Sequence, residues 1–253
     1  MLLFIRLLPY VTAFGVGFLS WSQRRQPMLY PWLSILGVGI FLATVVVIAW
    51  RKMTIRDVIE KMAPTFFLQC ALAFGLLLVE TDLALWTIHL LTGLTAFLSL
   101  ELLFLLAFEP HAYPVSGLSR LNIAFVPLIS WYAVSTSSGL VTFLHTPHAM
   151  HVAVCALIGM VLYRTTGHPG ATSAQNVTWT SIGLLVGLHV GWIGLHLPLT
   201  MPMQGVVAAV LFTGILRMRR YVYAPKPTRQ IAWIEGISVL VFFVVAMSTA
   251  KWL

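Results

Sequence analysis

The sequence predicts an all-α fold, a polytopic transmembrane helical bundle of about nine spans (eight to ten). Three observations carry this. Of the 253 residues, 59% are hydrophobic and 9% are charged, whereas a soluble domain carries about 25% charged residues. Apolar runs near the length of a membrane span, about 20 residues, recur along the chain. The basic residues cluster between those runs rather than along one face, which is the pattern of membrane orientation and not of a nucleic-acid surface. The lipid bilayer is therefore the expected surroundings, with other membrane proteins as the class of partner and no nucleic acid. We read residues 1–253 as a single integral membrane domain.

The first run, Leu2 to Trp21, lacks the basic start and small-residue cleavage site of a signal peptide and reads as a retained helix. Tyr30 to Trp50 is the second span. In RKMTIRDVIEKMA, residues 51–63, the apolar Ile55, Val58, Ile59 and Met62 recur at helical spacing between charges. This predicts a short amphipathic helix at the membrane interface, with Thr54 and Asp57 spaced for a capping box. Pro64 to Val79 and Leu83 to Phe108 are spans three and four. Leu121 to Phe143 is the fifth, and Ala149 to Tyr163, after HTPH, the sixth. Trp179 to Leu197, Met203 to Leu216 and Ile231 to Ala250 complete the count.

Eleven cations (Arg51, Lys52, Arg56, Lys61, Arg120, Arg164, Arg217, Arg219, Arg220, Lys226, Arg229) fall on one side of this topology. Arg24, Arg25 and Lys251 fall on the other. The positive-inside rule puts the first side and the N-terminus in the cytoplasm of a cell with the chain in its plasma (inner) membrane. Arg24 and Arg25 are the exception.

Three polar patterns bear on function. Span seven places Gly183, Gly187, Gly191 and Gly194 on one face and His189, Trp192 and His196 on the opposite one. Glycines at this spacing let helix backbones approach in lipid, and two occupied faces predict a central helix. Spans four and five carry hydroxyl stripes, Thr92, Thr95 and Ser99, and Ser130 and Ser135 to Ser138. Such groups bond to neighbouring helices or line a polar cavity. Glu101 and Glu235 are the acids within spans. Cys70 and Cys155 lie in apolar runs and read as free thiols.

The chain has eight histidines. The topology sends His89, His145, His148, His151 and His196 towards the outer face, with Met150, Met201 and Met203 nearby. Imidazole suits zinc, copper and iron, and thioether suits copper(I), so His89, His148, His151 and His196 form a candidate metal set. For haem, His189 is the candidate ligand. His189 and His196 stand about 10.5 Å apart along one helix and do not bind one iron from both sides. A serine hydrolase would use Ser137 or Ser138 as nucleophile and one of the outer histidines as base, which requires hydrogen-bond reach between them. The leading expectation is a non-enzymatic membrane subunit, binding protein or carrier, ahead of a copper, zinc or haem protein and of a hydrolase.

Overall fold

A computed structural model describes residues 2–79, 81–166 and 172–223, with scattered positions from 230 to 244. Among the described residues the ordered elements are helices, α1 (Leu2–Arg25), α2 (Trp32–Ala49), α3 (Ile55–Gly75), α4 (Asp82–Phe108), α5 (Gly117–Leu144), α6 (His148–Thr165), α7 (Ser173–His196) and α8 (Met201–Tyr223). Seven stretches in α1 to α7 are long and apolar enough to cross a membrane, and the apolar part of α8, Met201–Arg217, is shorter. This architecture is compatible with an integral membrane protein. The expected ninth span, 231–250, and Glu235 within it lie largely outside the described residues.

The chain divides into two compact units, Met1–Ala124 and Phe125–Leu253. In the first, the core is formed by residues such as Phe41, Ile48, Met62, Leu100 and Leu118. The expected interfacial helix is not separate: residues 55–63 run without a break into the third span as α3, through Pro64. Proline inside a membrane helix removes one backbone hydrogen bond, and neighbouring groups make this tolerable. Thr54 does cap the helix, its hydroxyl oxygen accepting from the Asp57 amide at 3.2 Å. Asp57 returns to the Thr54 hydroxyl at 2.6 Å rather than to the backbone.

The hydroxyl stripe of α4 is divided: the Thr92 and Thr95 hydroxyls donate to the Ile88 and Leu91 carbonyls of their own helix, while Thr95 and Ser99 also meet α3. Thr65 and Ser99 hydroxyls lie 3.0 Å apart. Gln69 of α3 donates through its side-chain amide to the Thr92 carbonyl at 3.0 Å and to the Thr95 hydroxyl at 2.7 Å. Glu101 pairs with Arg6 of α1 at 2.8 Å, and the Arg6 guanidinium also lies 4.8 Å from the centre of the Phe104 ring. Arg24, the exception in the charge count, pairs with Asp82 at the start of α4, while Arg25 lies over the Trp21 ring. These cations have local partners that an orientation count does not see.

The second unit is built on a close approach of α6 and α7. A Cβ at Gly187 would stand 2.3 Å from the Cys155 carbonyl oxygen, and one at Gly183 would stand 2.4 Å from that of Gly159. Only glycine fits such positions, and small residues at helix interfaces are the ordinary means of packing in lipid. Arg219 is buried in α8 rather than free in a basic loop. It donates to the Tyr163 carbonyl at 2.5 Å and to the Asn176 side-chain oxygen at 3.2 Å. That ties α8 to the adjoining ends of α6 and α7. Thr172 and Gln175 form a full capping box at the start of α7. The expectation of a central α7 is not met, because His189, Trp192 and His196, opposite its glycine face, are exposed.

Candidate functional site

The histidines proposed as one metal set separate by environment. His148 and His196 are exposed, and the His196 ring packs edge-on against Trp192 with centroids 5.0 Å apart. His89 belongs to the first unit and His151 to the second. Among the described residues no three or more His, Cys, Asp or Glu side chains are placed to hold one ion. His148 is the first residue of α6, whereas His151 lies nearly one turn further and points inward; one helix step divides them. His189, the haem candidate, is exposed and bonds through Nδ1 to the Leu185 carbonyl on its own helix at 2.7 Å.

The two buried histidines share an arrangement. His89 Nδ1 lies 2.7 Å from the Ser20 hydroxyl of α1. His151 Nδ1 lies 2.9 Å from the Ser137 hydroxyl of α5. Both imidazoles are thereby fixed by a serine on another helix. Of the two serines marked as nucleophile candidates, Ser137 meets a histidine. Ser138 is buried, and its carbonyl accepts from Thr142.

Ser137 has one hydroxyl proton and three neighbours that can accept it, the Val134 carbonyl, His151 Nδ1 and the Cys155 sulfur. Ser137 lies 3.0 Å from the Val134 carbonyl oxygen, which can only accept. With that proton on the Val134 carbonyl, the Nδ1–H of His151 donates to the Ser137 oxygen. Nε2 is then the unprotonated nitrogen, an acceptor, with the Cys155 thiol 3.8 Å away. Such a thiol donates weakly.

A cavity of about 40 Å³ is lined by Val134, Val190, Gly194, Gln204, Val207 and neighbouring apolar side chains, and His151 approaches it only at Gly194. A Cβ at Gly194 would stand 3.5 Å from His151 Nε2 and 3.6 Å from Gln204 Oε1. The space over Gly194 is thus bracketed by two acceptors. Gln204 donates its amide nitrogen to the Leu199 carbonyl at 3.2 Å, which fixes the amide, and its Oε1 is buried with no hydrogen-bond partner among the described residues. A buried acceptor left unmade costs roughly 1–3 kcal/mol, so this oxygen calls for a donor. By volume the cavity holds on the order of three water-sized groups, at ~10–15 Å³ each.

Sequence reasoning named Ser137 and His151 and missed Ser20, Gln69 and Gln204. Serine in an apolar helix carries little signal, because most such hydroxyls bond to their own helix. The glutamines were readable: an amide within an apolar run is expensive and needs a partner. No family model, curated protein or solved structure matches this chain.

Proposed function

We propose that this chain is a non-enzymatic, multi-pass membrane protein that binds a small hydrogen-bond donor in its second unit. The class of ligand is a protonated amine or a compact hydroxyl compound. The observation that carries this is the unpartnered Gln204 Oε1, facing the space over Gly194 opposite the accepting Nε2 of His151. Two fixed acceptors on an apolar wall select a ligand with two donors, and a few well-placed polar groups in an apolar pocket is the usual form of a small-molecule site. Stabilisation of the purified protein by methylammonium and by ethanolamine tests this. Both should raise the melting temperature, and Gln204→Leu should abolish the increase. No increase, or one that survives Gln204→Leu, would overturn the reading.

We place the chain in the cytoplasmic membrane with its N-terminus inside. The charge count supports this, and the pairing of Arg24 with Asp82 weakens its main exception. A cysteine introduced at Ser173 should resist a membrane-impermeant maleimide in intact cells and react once the cells are opened. Reaction from outside would reverse the orientation.

An intramembrane hydrolase is the second reading, favoured by the 2.9 Å contact of Ser137 with His151. Against it stands the Val134 carbonyl, 3.0 Å from the Ser137 hydroxyl, which competes for the proton that a general base must take. A fluorophosphonate probe should leave Ser137 unlabelled; labelling lost in Ser137→Ala would restore the enzyme.

A further inference from the structure

An apolar cleft in the first unit carries an independent inference. It has a volume of about 650 Å³ and lies between the last turns of α2 and the first turns of α3, lined by Leu42, Val46, Ile55, Ile59, Ala63 and Phe66 among others, with Arg51 as its charged lining residue. The amphipathic sequence at 51–63 therefore builds one wall of a cleft. Ile55 is 80% exposed and Ile59 60%, in a chain whose surroundings are hydrocarbon.

We propose that this cleft holds one acyl chain of an anionic phospholipid, with the lipid phosphate at Arg51. The first argument is length. From Leu42 to the end of α2 at Ala49 is seven residues, about 10.5 Å of helix, and the turn through Trp50 and Arg51 lengthens this towards the half-thickness of roughly 15 Å that one leaflet's hydrocarbon occupies. The second is position. The loop closing the cleft at its mouth carries Trp50, which is 65% exposed, beside Arg51 and Lys52. Trp is enriched where a membrane meets water, so the mouth opens at headgroup level.

The third argument is charge. Nearby acids and cations are otherwise engaged: Arg56 pairs with Glu60 at 3.3 Å, Asp57 caps α3 with Thr54, and Lys52 lies over the Phe108 ring at 5.4 Å. Arg51 makes no ion pair among the described residues. It sits at φ 60°, a backbone region uncommon for side-chain-bearing residues. A guanidinium matches a phosphate with paired donors, and basic pockets between membrane helices are a known form of anionic headgroup site.

The test uses the full chain in phosphatidylcholine vesicles carrying a minor fraction of spin-labelled phosphatidylglycerol. Association with the labelled anionic lipid should exceed that with labelled phosphatidylcholine. Arg51→Gln should lower this preference about fivefold, the worth of one cation at an anionic surface. Arg51→Gly, which suits the backbone, should do the same and excludes misfolding as the cause. Lys61→Gln, on the same side but outside the cleft lining, should leave the preference in place. Ala63→Trp should fill the cleft and displace the lipid although Arg51 remains. The inference is overturned if Lys61→Gln weakens association as much as Arg51→Gln, since only general surface charge would then act. Retention of the lipid in Ala63→Trp overturns it too, as does displacement by inorganic phosphate, which would mark a simple anion site.

Discussion

The two units bury polar groups by different means. In the first, side chains bridge helices: Ser20 to His89, Thr12 to Thr44, Thr65 to Ser99, Gln69 to Thr95 and Ser34 to Gln23. In the second, α6 and α7 meet backbone to backbone through glycine. Hydrogen-bonded helices tolerate small adjustments of spacing, because a side chain can follow its partner. A glycine seam does not, because the atoms in contact belong to the main chain. The second unit is therefore the more brittle, and its small cavity opens at Gly194, where the close approach of the seam relaxes.

The largest effect should come from breaking the seam. Gly187→Leu must displace the Cys155 carbonyl, which a bare Cβ would already approach to 2.3 Å. Overpacking costs about 1–3 kcal/mol and at times more, and here backbone is the obstacle, so we expect about 3 kcal/mol or more and loss of the folded protein. At Gly15 in α1 an added Cβ meets nothing within 4 Å, and Gly15→Leu should fold normally. Size-exclusion profiles of both variants in detergent check this. Equal behaviour would remove the distinction between the units.

The serine–histidine pairs probe the same contrast at a smaller scale. Among the described residues, Ser20→Ala leaves both nitrogens of the buried His89 without a hydrogen-bond partner, since Nε2 has none there already. Ser137→Ala strips the donating nitrogen of His151 and leaves its weak contact with Cys155. Each should cost about 1–3 kcal/mol in thermal unfolding. If Ser137→Ala costs nothing measurable, that imidazole has another donor or acceptor at hand and the proton assignment proposed for the cavity falls.

These differences also separate what was legible in the sequence from what was not. Helix existence was legible in α1 to α8, because apolar length leaves a membrane chain little alternative to helix. The glycine face of α7 was legible, because Gly183, Gly187 and Gly191 recur at helical spacing. Its exposed opposite face was not: spacing says which residues share a face but not what covers it. The division of the chain near Ala124 also left no mark, since α5 runs through it without a change of composition. At the candidate site Ser137 and His151 were named together only as one of several possible nucleophile and base combinations. Their meeting depends on how α5 and α6 rotate about their axes, which a single sequence does not record.

Gly194→Ala should have a modest effect on stability and a clear one on binding. The added methyl meets only ordinary contacts, 3.5 Å from His151 Nε2 and 3.6 Å from Gln204 Oε1. Replacing glycine by alanine inside a helix is worth up to about 1 kcal/mol in the favourable direction. The melting temperature should stay level or rise slightly, while the stabilisation by methylammonium is lost because the methyl occupies the bracketed space. This variant distinguishes Gly194 from Gly187 seven residues earlier on the same helix. A fall in stability as large as that of Gly187→Leu would mean that the seam extends through Gly194 and that the cavity is not free to receive a ligand.

The smallest effect is expected at the ion pair of Arg24 and Asp82, between the end of α1 and the start of α4. The Asp82 side chain is 77% exposed and that of Arg24 35%, so water screens most of the attraction. Exposed pairs contribute about 0.2–1 kcal/mol when measured by double-mutant cycle. Asp82→Asn should nonetheless cost more than Arg24→Gln, because Asp82 lies in the first turn of α4, where a negative charge also meets the positive end of the helix dipole, worth about 0.3–1 kcal/mol. A cycle of the two single variants and the double one separates these contributions: the dipole part is lost whether or not Arg24 is present, and only the remainder couples. Orientation in the membrane should not change in any of the three, since acidic residues weigh little in the positive-inside rule and loss of Arg24 removes a cation from the side that carries fewer of them. A coupling well above 1 kcal/mol would show that the pair is shielded from water and belongs with the buried bridges of the first unit rather than with its surface.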